Sequence, residues 1–138
     1  MSRDIYIKEI IESVNTLKRA VCSRMSKIKG VSITPSQWTV LQITHNAKSI
    51  HIKDIAKEMN TTGSASTQLI NELENKQYLK RTPDPNDGRA TLITLTNKSK
   101  KMIDDMELVM HESCAELFRK LSDTELKTFS KIYSKISK

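Results

Sequence analysis

The sequence predicts a mainly α-helical fold built on two short helices joined by a tight turn, then one β-hairpin, with longer helices on either side. Three observations carry this expectation. Apolar residues recur at steps of three and four through most of the chain, as one buried face of a helix requires. Helix-start signals stand at Thr34-Pro35-Ser36-Gln37 and at Ser122-Asp123-Thr124-Glu125, each able to close a capping box. The exception is "PDPNDGRATLITLT" at 83–96, where Pro, Asp, Asn and Gly make a turn ahead of a Thr-rich alternating strand.

Taken in order, residues 5–28 place Ile7, Ile10, Val14, Leu17, Val21, Met25 and Ile28 on one seam suited to packing on another helix. Gly30 follows the last turn, where Arg24, Lys27 and Lys29 complement the helix dipole. Thr34 caps the next helix, with Pro35 at its first position. That helix is expected to bury Trp38, Leu41 and Ile43 or Thr44, and to fade near Asn46. "IHIKDIAKEM" (50–59) begins extended and turns helical, with Ile52, Ile55, Ala56 and Met59 on one face. After a break at 60–64, capped by Thr61 or Thr62, a further helix carries Leu69, Ile70 and Leu73 inward and ends near Gln77. Two short helices across so short a turn form a helix-turn-helix. A strand at 78–82 then pairs with one at 90–95, which makes the hairpin a wing. Thr96 caps a long helix to about Leu121 with Met102, Met106, Val109, Met110, Leu117 and Phe118 as its stripe. Ser122 opens a last helix bearing Leu126, Phe129, Ile132, Tyr133 and Ile136. The flanking seams exceed what one small winged domain covers, so they are expected to pair with a second copy of the chain.

Bulk properties bound the function. A chain of 138 residues with 37% hydrophobic and 28% charged residues has an ordinary soluble composition. It lacks a signal-peptide core and any apolar run near the roughly 20 residues needed to span a bilayer. A cytoplasmic location without membrane attachment is expected. The net charge of +7 is uneven: 7 basic against 3 acidic residues in 1–47, 10 against 6 in 48–101, and 6 against 7 in 102–138. A basic excess confined to the first two-thirds suits a polyanion such as nucleic acid, and equally suits solubility. Cys22 and Cys114 have no metal-ligand spacing, and no metal or cofactor is expected. His45, His51 and His111 form no constellation with carboxylates or thiols, and no glycine loop cradles a phosphate, so an enzyme is not expected.

With the elements in this order, "NELENKQYLKRTPDPNDGRATLITLTNKSKK" (71–101) resembles the recognition-helix end and wing of the MarR (multiple antibiotic resistance regulator) family. The family's Asp-Pro-x-Asp-x-Arg hallmark, followed by a strand ending in Leu-Thr, is matched by Asp84, Pro85, Asp87, Arg89, Leu95 and Thr96. "ITPSQWTVLQIT" resembles its Leu-Thr-x-x-Gln-aromatic helix start, and "IHIKDIAKEMNTTGSASTQLINELE" fits its helix-turn-helix. The resemblance implies a mainly α winged helix-turn-helix regulator, a repressor acting as a homodimer on a pseudo-palindromic operator in double-stranded DNA. Residues 34–96 would bind DNA, and 1–33 with 97–138 would form the dimer. The chain departs from the common pattern at Gln77, where relatives often end the recognition helix with Gly. It departs again at Gly63 and Gln68, where they often carry Arg.

With Leu69, Ile70 and Leu73 inward, the reading face of the second helix comprises Gly63, Ser64, Ala65, Thr67, Gln68 and Asn71. Gln68 can bond an adenine edge, Ser64 and Thr67 phosphate or base, and Ala65 a thymine methyl. The bland alternative is a solvated helix face. Arg89 at the hairpin tip suits insertion into a narrow minor groove, with Asp87 holding its guanidinium by a charge-assisted bond; alternatively the two only staple the turn. Lys80, Arg81 and Lys53 are phosphate-contact candidates.

Many relatives bind small aromatic acids or phenols, or sense oxidants through cysteine. Met25, Trp38, Met106, Met110 and His111 are candidates to line such a pocket, although a Met stripe at helical spacing also serves as core. The peroxide-sensing branch carries its cysteine near the start of the first helix, whereas Cys22 lies in the second half, so that role does not carry over. Both cysteines are expected to be buried packing residues. A thiol-based sensor and a winged-helix adaptor binding protein or RNA stay open as rival readings.

Overall fold

A computed structural model describes residues 2–28 and 30–137. Its elements are α1 (Arg3–Met25), α2 (Pro35–Ala47), β1 (Ser49–His51), α3 (Ile52–Glu58), α4 (Gly63–Asn75), β2 (Leu79–Asp84), β3 (Asp87–Leu95), α5 (Asn97–Phe118) and α6 (Asp123–Ile136). They fall into two compact units, Gly30–Asp105 and Met1–Lys29 with Met106–Lys138. The division runs through α5, so residues 97–105 go with the winged portion and not with the flanking helices.

In the unit Gly30–Asp105, α2 begins as its sequence requires. Thr34 Oγ1 accepts from the Gln37 N–H at 3.2 Å, and Gln37 Oε1 accepts from the Thr34 N–H at 3.3 Å. The helix buries Gln37, Val40, Leu41 and Thr44, while Trp38 is only half-buried. The 3.6-residue period that aligns Gln37, Val40, Leu41 and Thr44 carries Trp38 to the edge of that face. α3 and α4 end alike. After α3, the Thr61 N–H donates to Ala56 O and the Asn60 N–H to Lys57 O, with Asn60 at φ 52°. After α4, the Tyr78 N–H donates to Leu73 O and the Gln77 N–H to Glu74 O, with Gln77 at φ 62°. Both are Schellman closures, which need a left-handed residue just past the cap. Gln77 therefore occupies the conformation that glycine adopts without a Cβ penalty.

The sheet has three strands in the order β1-β3-β2, so β1 adds a third strand to the expected hairpin. Ile50 pairs with Ile93 across β1 and β3, and Leu79 with Leu95 across β2 and β3, both antiparallel. Three residues of β1 alternate too briefly to register as a strand until β3 supplies hydrogen-bond partners. Pro83, which has no N–H, is accommodated on the edge strand β2 beside a bulge at Pro83/Asp84. The core gathers Val40, Leu41, Ile55, Ile70, Leu73, Ile93 and Ile103, all at 1% exposure or less. Ile103 lies beside the stripe read from α5. On α4 the fully buried partner of Ile70 and Leu73 is Ser66, whereas Leu69 is half-buried.

The other unit is built differently. α1 spans Arg3–Met25 and ends at Ser26, so Ile28 lies beyond it and Gly30 (φ 81°) is not its cap; Lys29 is outside the described residues. α1 and α6 bury no residue. Arg24 pairs with Glu116, and the Phe118, Phe129 and Tyr133 rings follow one another at centroid distances of 5.6 and 6.2 Å. An open groove of about 860 Å³ is lined by apolar side chains including Ile10, Val14, Leu17, Leu117, Phe118 and Phe129. Cys22 is exposed and Cys114 half-buried, both as free thiols, so neither is the buried packing residue expected. Cys22 sits on a helix that buries no residue within the single chain.

Candidate nucleic-acid interface

α4 offers a polar face because its apolar residues are drawn to one side. Thr62 caps it by accepting from the Ala65 N–H at 3.1 Å. Ser64, Ala65, Gln68 and Asn71 are exposed along its outer face, and Thr67 is half-buried at the margin. Gly63, at the first helical position, is exposed as well.

The side chains behind this face are linked in a chain of directed hydrogen bonds that the sequence did not disclose. Lys76 Nζ donates to Ser32 O at 2.7 Å and to Gln37 Oε1 at 3.1 Å. Gln37, only 3% exposed, donates from Nε2 to Glu72 Oε2 at 2.8 Å. The other Glu72 oxygen accepts from Gln68 Nε2 at 3.3 Å. The capping-box signal identified Gln37, but nothing in the one-dimensional pattern showed that its amide reaches α4.

Arg81 departs from the role expected of it. Its Nε donates to Glu74 Oε1 at 2.7 Å and an Nη to Asn71 Oδ1 at 2.8 Å. The guanidinium thus ties β2 to α4 and is not a free phosphate contact. Because a guanidinium only donates, it also fixes the Asn71 oxygen toward Arg81 and leaves the amide NH2 facing outward. Lys53 and Lys80 are exposed.

The wing turn is organised by its two acids. Asp84 Oδ1 accepts from the Asn86 N–H at 2.9 Å, and Asp84 Oδ2 lies 2.8 Å from His51 Nε2. A carboxylate only accepts, so Nε2 carries the proton of that bond, which fastens the end of β1 to the wing. Asp87 Oδ1 accepts from the Arg89 backbone N–H at 3.1 Å. The expected grip of Asp87 on the guanidinium is therefore replaced by a local backbone bond, the usual preference of an acid two residues ahead in a turn. Among the described residues the exposed Arg89 guanidinium has no hydrogen-bond or ion-pair partner.

The five residues expected to line a ligand pocket are divided between the units. Trp38 belongs to Gly30–Asp105, and Met25, Met106, Met110 and His111 to the other. Met106 is buried, Met25 and Met110 are half-buried, and His111 is exposed. Among the described residues, no cluster of three His, Cys, Asp or Glu could hold a metal ion, and no helix is long and apolar enough to cross a membrane.

Two helices across a tight turn, an outward polar recognition helix and an arginine-tipped hairpin define a winged helix-turn-helix protein. Comparisons with known proteins carry the assignment further. The model of the MarR family matches residues 33–91. The HTH-type transcriptional regulator YwhA of Bacillus subtilis, itself uncharacterized, is 32% identical over 98 residues, 71% of this chain and 70% of that protein. The chain belongs to the MarR family of transcriptional regulators. Among solved structures, the RV1404 protein of Mycobacterium tuberculosis superposes with a TM-score of 0.88 at 17% identity, covering 99% of this chain and 93% of that one. A cysteine-to-serine mutant of E. coli MarR complexed with operator DNA has a TM-score of 0.69 at 25% identity, covering 96% and 94%.

Proposed function

We propose that this protein is a cytoplasmic, homodimeric repressor that binds a pseudo-palindromic operator in double-stranded DNA. The observation that carries the reading is the pairing, within one compact unit, of an exposed polar α4 face with a wing whose Arg89 guanidinium is unpaired among the described residues. A free cation on a backbone-braced turn is suited to the negative potential of a narrow minor groove, and α4 is suited to the major groove. The operator-bound MarR structure and the neighbour described as the Multiple Antibiotic Resistance Repressor, 26% identical, support DNA and repression as the reading. Dimer formation is supported by the uncovered apolar residues of α1 and α6. Release by a small phenolic or aromatic-acid effector belongs to the same proposal and rests on the family resemblance.

Selection from a random duplex pool tests the proposal. Enrichment of an inverted repeat with half-sites about one helical turn apart is the expected outcome. Arg89→Ala should then weaken binding to the selected duplex by roughly tenfold while the thermal melt is unchanged. Affinity should fall steeply as salt rises, through counterion release. Unaltered affinity of Arg89→Ala removes the wing from the interface. Failure to enrich any duplex would instead favour an adaptor that binds protein or RNA.

A further inference from the structure

The relay behind α4 has a direction, and that direction reaches the base-reading surface. Lys76 is a donor only, so the Gln37 oxygen must face it; the same oxygen accepts from the Thr34 N–H. The Gln37 NH2 is thereby turned to Glu72 Oε2. A carboxylate is an acceptor only, so the second Glu72 oxygen must be met by the NH2 end of Gln68. Each link leaves one orientation for the next amide. Gln68 is exposed, and the end turned away from Glu72 is its oxygen, with one N–H still free.

We infer that Glu72 is a positioning residue that locks the Gln68 amide with its oxygen outward and so sets the base preference of the recognition helix to adenine. The inference rests on the DNA-binding reading above. An outward oxygen with one adjacent N–H matches the adenine edge, which offers the N6 donor beside the N7 acceptor. Guanine presents two acceptors, N7 and O6, at those places, so the outward oxygen would oppose one of them. A free glutamine turns over at little cost and accepts either set, whereas one held by a carboxylate cannot. The carboxylate itself is held by the buried Gln37, whose orientation is fixed by Lys76. The acid therefore acts through Gln68 and needs no contact with DNA.

The experiment compares duplexes selected from a random pool by the wild type, Gln68→Ala, Glu72→Gln and Glu72→Asp. The position read by Gln68 is the one whose preference disappears in Gln68→Ala. In the wild type, that position should hold adenine over guanine by roughly tenfold or more, the discrimination of a bidentate amide–base pair. In Glu72→Gln, the Gln37 NH2 still claims the oxygen of residue 72, so an NH2 faces Gln68 and the acceptor that held its NH2 is gone. The preference should drop below about threefold while other positions keep theirs, a pattern that general loosening of α4 would not produce. Glu72→Asp, too short to reach both amides, should do the same. Binding to an unselected duplex should not weaken in Glu72→Gln, because an acidic charge is removed near the phosphates. The inference is overturned by undiminished adenine preference in both Glu72 variants. Guanine or thymine at the Gln68 position, or equal decay at every position, overturns it as well. These outcomes leave DNA binding standing, whereas failure of every protein to enrich any duplex removes the DNA-binding reading together with the inference.

Discussion

In the unit Gly30–Asp105, Val40, Leu41, Ile55, Ile70, Leu73 and Ile93 are completely buried; in the other, Ile10, Val14, Ile132, Tyr133 and Ile136 are each more than half exposed. Both sets follow helical or strand periodicities. The difference lies in what covers them. Three helices, the start of α5 and a sheet fold back on one another in the first unit. In the second, α1 and α6 lack any buried residue within the single chain. An apolar stripe thus specifies that a face will be covered, and says nothing about whether the cover comes from the same chain. Exposed apolar area on this scale is typical of an interaction surface.

The contrast can be broken or sharpened by substitution. Leu73→Ala, at the centre of the closed core, should cost about 2–5 kcal/mol of stability in denaturant unfolding, because it leaves a cavity among fully buried neighbours. A loss below about 1 kcal/mol would mean that this unit is less tightly packed than its burial indicates. Ile132→Asp, on the uncovered face of α6, should leave the fold of Gly30–Asp105 intact yet disfavour self-association by roughly 2 kcal/mol per protomer. Sedimentation equilibrium reads the shift toward monomer, and an unchanged association constant would take α6 out of the proposed dimer interface.

Acidification separates the units less strongly. Glu125 accepts from the Ser122 N–H and hydroxyl at 2.8 and 2.9 Å, and these bonds hold its carboxyl below the ordinary 4.5. The Arg24 guanidinium, by hydrogen bond and by charge, does the same to Glu116. A lowered folded-state value means that the stabilisation is present above about pH 4.5 and is lost as pH falls through the lowered values. Protection of backbone amides, taken relative to the intrinsic exchange rate at each pH, should therefore be lost at the start of α6 before it is lost in α4 as pH is taken down; the reverse order would contradict the contribution of the cap. The smallest effect is expected at Ser66, fully buried with no partner for Oγ among the described residues. Ser66→Ala should leave stability unchanged or raise it by up to about 1 kcal/mol, since no hydrogen bond is lost. A clear loss in thermal melting would reveal a partner for that hydroxyl.

Much of this architecture was legible in one dimension because its signals are local. Both capping boxes, the turn residues of the wing, the alternation of β3 and the periodic faces of α4 and α5 depend on neighbours within about four residues, the range over which caps and helical contacts act. The exposed polar face of α4 and the place of Arg89 at the wing followed from the same rules. Tertiary structure decided everything that depends on a partner distant in sequence. β1 became a strand only when Ser49, Ile50 and His51 met Thr94, Ile93 and Leu92. Arg81 met Glu74 and Asn71, and Asp87 met a backbone N–H. Gln37 was joined to Glu72, 35 positions along the chain, and through it to Gln68. Periodicity reports which face of an element turns inward, but hydrogen bonding is directional and short-ranged. Which donor meets which acceptor is therefore settled only when the elements are packed.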